Sequence, residues 1–342
     1  MTYNSYKMYY LIRYSDAIWS CMDLTSIVFL SYGWYQTDIL RSGRAWCIRF
    51  TNFLAMLWGG LCGFWIISPL LINDYLLGGD KQYEDGALYH SNVFNILFPV
   101  SIEFYNNNFI QFYVMECTLM LYNLYALILF DIFIVPLFMT IFIQLKTINM
   151  AYKSIGYHSS SMDYEGNRKT VTDNESNPVK SLQLIIQDHQ RVIQKMRELY
   201  KIFRPMILIR IVVESSVLVF QSFVIIVGLM EGLSFRSPLV LKLFIAVLIY
   251  IFHLFIVCFL FTKINEQKSD INVALYSSNW MEMSIKFKKL IFLTMQMNSA
   301  EKLILKISDK KIVDLKMFAS VMHMCYSIIS VMVKSKQKLA DK

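Results

Sequence analysis

Residues 239–262 read LVLKLFIAVLIYIFHLFIVCFLFT, and no Asp, Glu, Lys or Arg follows Lys242. A helix crossing the ~30 Å hydrocarbon core of a bilayer needs about 20 mostly apolar residues, and this run supplies them. Four more stretches meet the same requirement: 46–72, charge-free after Arg49; 110–145, with Glu116 and Asp131 inside; 205–230, with Arg210 and Glu214; and 315–333. A sixth, 16–35, is interrupted by Asp16 and Asp23. Its two readings, a weak span or an amphipathic helix on the cytoplasmic surface, stay open at this point.

Composition agrees with lipid as the solvent. Of the 342 residues 56% are hydrophobic and 15% aromatic, with mean hydropathy +0.43. Soluble domains average about 45–50% apolar residues. The six cysteines are scattered without metal-ligand spacing and read as small buried hydrophobes. The Asn174-Glu175-Ser176 pattern falls in a loop read below as cytoplasmic, where it would go unused. No cleavable leader is visible around Lys7 and Arg13. The formal charge of +8 comes with no nucleic-acid motif, so no nucleic-acid partner is expected. There is no phosphate loop, nucleophile elbow, His-Glu metal helix or facing carboxylate pair, so no enzyme, metal or cofactor is expected. A transporter is disfavoured by the lack of repeats and of paired broken spans.

The sidedness of the charges sets a topology. Segment 73–109 has one Lys/Arg, Lys81, against five acids, whereas 146–203 and 263–313 carry nine Lys/Arg each. By the positive-inside rule the basic loops are cytoplasmic and 73–109 is outside. Alternation through five spans then places 231–238 and the C-terminus outside, although the tail holds Lys334, Lys336, Lys338 and Lys342. A receptor coupled to G proteins would end in the cytoplasm, so this sidedness counts against that class.

Two apolar stripes lie beyond the spans. Leu182, Ile185, Ile186, His189, Val192, Ile193, Met196, Leu199 and Phe203 recur at helical steps and run into the span that begins near Pro205. Ile285, Leu290, Ile291, Leu303, Ile304 and Ile307 form a second stripe among lysines. A basic helix lying on anionic lipid and a packed assembly region both fit it. Before it sits ALYSSNWMEMS, 274–284, where Tyr276, Asn279 and Trp280 stand among small residues. Residues 156–178, by contrast, are polar and read as a flexible loop.

The stretch 274–307, with its small-Tyr-x-x-x-Trp run before a basic amphipathic helix, resembles insect odorant receptors. DHQRVIQKMRELYKIFRPMILIRIVVESSVLVFQSF (188–223) is similar to the family's second cytoplasmic loop entering the fifth span. ILFPVSIEFYNNNFIQFYVMEC (96–117) is similar to its outer loop, and Asp131 falls where the fourth span often carries an acid. DLKMFASVMHMCYSIISVMV (314–333) looks like the closing pore helix, with Tyr326-Ser327 at the Tyr-Ser position. Gustatory receptors are the alternative, but their closing Thr-Tyr and Gln-Phe pairs are missing here. The match runs over roughly 46–333 and numbers 46–72 as the third of seven spans, so the chain is expected to be short at its N-terminus.

The resemblance implies an all-α, polytopic membrane bundle: an N-terminal segment 1–45, a bundle 46–262 with the loop 146–203, an anchor 263–313, a pore helix 314–334 and a tail 335–342. It implies an odorant-gated, non-selective cation channel that assembles with co-receptor subunits as a heterotetramer in the plasma membrane of olfactory sensory neurons, N-terminus inside. The ligand-tuning subunit is indicated, because the co-receptor carries a larger cytoplasmic insertion. The implied pocket for a small volatile odorant, in the outer half of the bundle, takes Trp58, Gly63, Phe64, Ile67, Met115, Leu119, Tyr122, Phe220 and Phe223. Ordinary helix packing, close at Gly59, Gly60 and Gly63, is the competing account of these positions. Met322, Tyr326, Ile329 and Val333 share one face of the last helix and are the implied gate, with lipid packing as the alternative. His323 reads equally as a pore-lining group or as a hydrogen-bonded helix residue. His189, Tyr276, Asn279 and Trp280 are the implied assembly residues. Among the charges within spans, Asp131 is expected to pair inside the bundle, Arg210 and Glu214 to pair along one helix, and Glu116 to be hydrated near the outer end.

Overall fold

A computed structural model describes residues 2–26, 29–30, 37–71, 73, 90–94, 96–157, 178–235, 237–301, 303–304, 306 and 312–340. They form helices α1 (Thr2–Arg13), α2 (Ser15–Cys21), α3 (Thr37–Leu71), α4 (Ile102–Asn107), α5 (Phe109–Ser154), α6 (Pro178–Met230), α7 (Pro238–Tyr276), α8 (Ile285–Ala300) and α9 (Leu315–Ala340). A 3-10 turn, Met22–Thr25, follows α2. Among the described residues there is no strand, only an isolated bridge between Lys306 and Ile312. Five helices are long and apolar enough to cross a membrane, and they contain the five stretches picked out by hydropathy.

Three of them outrun the bilayer. At about 1.5 Å per residue, α5, α6 and α7, with 46, 53 and 39 residues, measure roughly 69, 80 and 58 Å. The apolar runs account for one part of each helix and the amphipathic stripes for the rest. The stripe on α6 is buried from Leu182 through Phe203 against α5, α7 and α8. The loop 158–177, which includes most of the polar stretch, lies outside the described residues.

Packing is densest at the end of the bundle that holds α8. There α5 stops at Ile155 and Gly156, whose φ of +82° is open to glycine but strained for other residues. Asn279 N donates to Ile155 O (3.3 Å), Asn279 Nδ2 donates to Gly156 O (3.3 Å), and Tyr157 OH donates to Ser277 O (3.2 Å). The turn after α7 is thereby clasped to the end of α5. Ser284 caps α8, whose buried face is Phe287, Ile291 and Thr294. Beyond α8, Arg197 meets Glu301 (2.6 Å) and Lys268 Nζ donates to the carbonyls of Glu301 and Leu303.

The N-terminal helices run alongside α5 and α6. Asn4 Nδ2 donates to Asn123 Oδ1 (2.8 Å), Tyr10 OH to Ile202 O (2.6 Å), and the Gln144 amide to Leu24 O. Residues 15–25 are thus a short helix and a turn against the bundle, and residues 31–36 lie outside the description. At the other end of the chain, Asp314 accepts from Met317 N and Leu315 N donates to Thr262 Oγ1, fixing the start of α9 on α7. After that, only 11% of the most apolar stretch of α9 is buried.

A Cβ at residue 156 would come within 2.8 Å of Met283 Cε and 3.2 Å of Asn279 O. Gly156→Ala is therefore expected to lower stability by about 1–3 kcal/mol. The readout is the melting temperature of detergent-solubilised protein; an unchanged value would mean the clasp is not structural.

Candidate ligand site and buried charge network

The apolar sides of α3, α5, α6 and α7 meet around a set of charges. Asp131 of α5 is the hub: its Oδ1 lies 2.8 Å from Arg210 Nη1 of α6, and its Oδ2 accepts from Trp58 Nε1 of α3 (3.2 Å). His253 Nε2 of α7 lies 3.2 Å from the same Oδ2. Arg210 Nε donates to Glu214 Oε1 (2.9 Å), and His253 Nδ1 is 2.8 Å from both Glu214 Oε1 and Arg210 Nη2. Trp58 packs edge-on against His253, with centroids 5.5 Å apart. Lys7 of α1, also buried, is within electrostatic reach of Arg210, Asp131 and Glu214. Arg210 thus sits between two carboxylates, with His253 and Lys7 beside them, in the apolar interior of the bundle, where a charge persists only if it is paired.

Asp131 therefore pairs inside the bundle and Arg210 with Glu214 along α6, as expected, but Arg210 is also the partner of Asp131, and the Arg210–Glu214 pair is one edge of a network joining four helices. Sequence reasoning missed His253 and Lys7. The signal for His253 was an ionisable residue inside an apolar run; its partners lie 39 and 122 residues away and had no local signature. Beside the network is a cleft lined by Thr51, Leu54, Ala55, Trp58, Ile128, Asp131 and Ile132, of about 170 Å³.

The candidate pocket residues are distributed more widely than one lining. Trp58 is 4% exposed and committed to Asp131. Phe64, Leu119 and Phe223 are half-buried, while Ile67, Met115, Tyr122 and Phe220 are exposed within the single chain. Tyr122 OH lies 3.3 Å from Ser5 Oγ. A Cβ at Gly59, Gly60 or Gly63 would meet no described atom within 4 Å, so within this chain the glycines do not serve close helix packing.

Glu116 departs from expectation: it is 1% exposed, not hydrated, and its Oε2 accepts from Val93 N (2.8 Å). The cause is the segment before α4, which folds back over α5 and is held by stacked rings, Phe98 on Phe112 at 4.8 Å and on Tyr105 at 5.7 Å. At the same level Lys242 Nζ lies 5.2 Å from the Trp65 ring centroid.

On α9, Cys325 is buried and its Sγ points to Ser215 O of α6 (3.9 Å). Tyr326 is 71% exposed, and Met322, Ile329 and Val333 are half-buried. The side away from Cys325 carries Ser320, His323, Ser327 and Ser330, a polar stripe at three- and four-residue steps that was not singled out from the sequence apart from His323. Of the implied assembly residues, His189 is buried with Tyr152 OH 3.4 Å from its Nδ1, and Asn279 bonds within the chain. Trp280 Nε1 donates to Tyr276 O, and Tyr276 remains 64% exposed.

With the bundle and its network described, comparison with known proteins is direct. The sequence model of the family described as 7tm Odorant receptor matches residues 1–326. The chain belongs to this odorant receptor family. No curated protein sequence matches it. Its fold is similar to the insect olfactory receptor OR5 of Machilis hrabei in complex with eugenol, at 15% identity and TM-score 0.72, covering 98% of this chain and 78% of that one. The same receptor described without eugenol matches at TM-score 0.67, with the same identity and coverage. This odorant receptor chain is thus an all-α, multi-pass membrane protein whose helices keep the family arrangement at low sequence identity.

Arg210→Met leaves Asp131 and Glu214 buried with less compensation and is expected to cost about 3–5 kcal/mol. The double variant Arg210→Met with Asp131→Leu should lose less than the sum of its singles. Melting of purified protein and surface yield measure both; strict additivity would show that the network does not act as a unit.

Proposed function

We propose that this odorant receptor chain is a ligand-tuning subunit of an odorant-gated, non-selective cation channel, assembled with co-receptor subunits in the plasma membrane of olfactory sensory neurons. The observation that carries the reading is α9. It is a membrane-length helix fixed at its start by Thr262 and Asp314, yet only 11% of its most apolar stretch is fully buried by its own chain, less than in any of the other four. In a ring of subunits the flanks of such a helix pack against neighbours and its far side encloses a pore. Met322, Tyr326, Ile329 and Val333 then form the apolar constriction, which gates by dewetting. Ser320, His323, Ser327 and Ser330 give the conduction path a hydrophilic lining.

In this topology the α8 end of the bundle is cytoplasmic, where the basic loops lie, and the C-terminus is outside. The exposed ring of Tyr276 and the surface of α8 meet neighbouring subunits, while Asn279 and Trp280 hold the turn that presents them. Small, mostly apolar odorants enter the half of the bundle bearing Gly63, Phe64, Ile67, Met115, Leu119, Tyr122, Phe220 and Phe223, with Trp58 at its floor. The eugenol complex of the structurally similar OR5 supports a small-molecule ligand in this fold.

Co-expression with an insect odorant co-receptor should yield odorant-evoked cation currents; silence across a broad odorant panel, with surface expression verified, rejects the reading. Ser327→Cys and Ser330→Cys are expected to make those currents sensitive to a charged thiol reagent, with Val321→Cys, on the side packed against the bundle, much less so. Equal sensitivity at all three positions would reject the orientation given to α9. A C-terminal epitope should bind antibody on intact cells, and binding only after permeabilisation would invert the topology.

A further inference from the structure

Toward the ends of α3, α5 and α7 near the 90–108 segment, three buried polar atoms have no hydrogen-bond partner among the described residues. Lys242 is 0% exposed and Glu116 is 1% exposed. Lys242 Nζ, Glu116 Oε1 and Trp65 Nε1 are each buried without a hydrogen-bond partner. Lys242 lies against the Trp65 ring at 5.2 Å, and the Lys242 and Glu116 charges influence one another without closing into an ion pair. Glu116 Oε2 is already held by Val93 N, so Oε1 is the oxygen that remains. A buried ammonium and a buried carboxylate each lose several kcal/mol of hydration, and leaving Lys242 Nζ and the second oxygen of Glu116 without hydrogen bonds is costly unless something enters to meet them.

We infer that Lys242, Trp65 and Glu116 form a recognition site for the hydroxyl group of an alcohol or phenol odorant. The inventory of donors and acceptors selects that group. Lys242 and Trp65 offer N–H donors and Glu116 offers an acceptor. A hydroxyl oxygen accepts from the two donors, and its proton is donated to Glu116 Oε1. A carbonyl accepts equally well but sets a second acceptor against Glu116. A carboxylate adds repulsion from that same oxygen. An amine satisfies Glu116 and is repelled by Lys242, and a hydrocarbon satisfies none of the three. A hydroxyl also reproduces the bonds of a water molecule, so it displaces solvent from this spot without loss.

The inference rests on the receptor reading above, and the test separates the two. The full chain is expressed with an insect odorant co-receptor, and currents are recorded for n-octanol, octanal, octane, benzyl alcohol and toluene. The wild type should respond to an alcohol at lower concentration than to its matched aldehyde or hydrocarbon. Lys242→Met should raise the half-maximal concentration for alcohols roughly 10–100-fold, the loss of one charge-assisted hydrogen bond. Responses to octane and toluene should stay within about twofold. Trp65→Phe and Glu116→Gln should weaken the alcohol preference in the same sense, and they carry the test if Lys242→Met fails to reach the surface. A parallel loss across all five probes at normal surface level overturns the inference, as does a wild type that answers hydrocarbons and aldehydes but no alcohol. No current to any odorant rejects the receptor reading, and the inference with it.

Discussion

The bundle is organised around Asp131. Its carboxylate takes Trp58 from α3, Arg210 from α6 and His253 from α7, and Arg210 and His253 in turn share Glu214. In water such contacts would contribute little, because each group is nearly as well served by solvent. In lipid the alternative is a bare charge, so the relative rotation of four helices is fixed by the need to satisfy these side chains. Lys7 adds α1 to the same balance. The network also lies one residue from Ser215, whose carbonyl receives Cys325 Sγ of α9. A rearrangement of the charged core would therefore be felt at the helix assigned to the pore.

On either side of that core the chain behaves differently. Toward α8 it is packed as a soluble protein is packed: Leu145, Tyr152, Leu182, Leu199, Leu275 and Phe287 are buried in one cluster, and the 155–157 turn is clasped by Asn279. Toward the 90–108 segment it is open, with Ile67, Met115 and Phe220 uncovered and the glycines of α3 facing no described atom. The division suits a receptor. In the proposed receptor the rigid base would carry subunit contacts and the loosely covered half, held by a folded-back loop of packed aromatic rings, would admit a small ligand.

How much of this was legible beforehand follows from the range of each signal. The five membrane helices were read from runs of apolar residues, and the helix beyond the α6 span from the spacing Leu182, Ile185, His189, Val192 and Met196; both signals are local and periodic. The fate of Glu116 was not legible. Hydration was the natural expectation for an acid near the end of a span, and what buries it is a loop folding back from residue 93. Nor did the ALYSSNWMEMS stretch reveal that Asn279 turns inward to hold Gly156, since a clasp over 123 residues leaves no pattern in sequence.

The sequence by itself determined that the chain is a helical membrane protein, because hydrophobic length and helical periodicity follow from neighbouring residues and from the thickness of a bilayer, and its local motifs carried the resemblance to odorant receptors. It also showed which charges are out of place in lipid. Only the tertiary structure decided what those charges do: that Asp131, Arg210, Glu214 and His253 close on one another, while Lys242, Glu116 and Trp65 come together and stay unsatisfied. The reason is physical. Burial of a charge in lipid demands a partner, but which partner is set by how long helices rotate and tilt against one another, and that is decided by contacts between residues far apart in the chain.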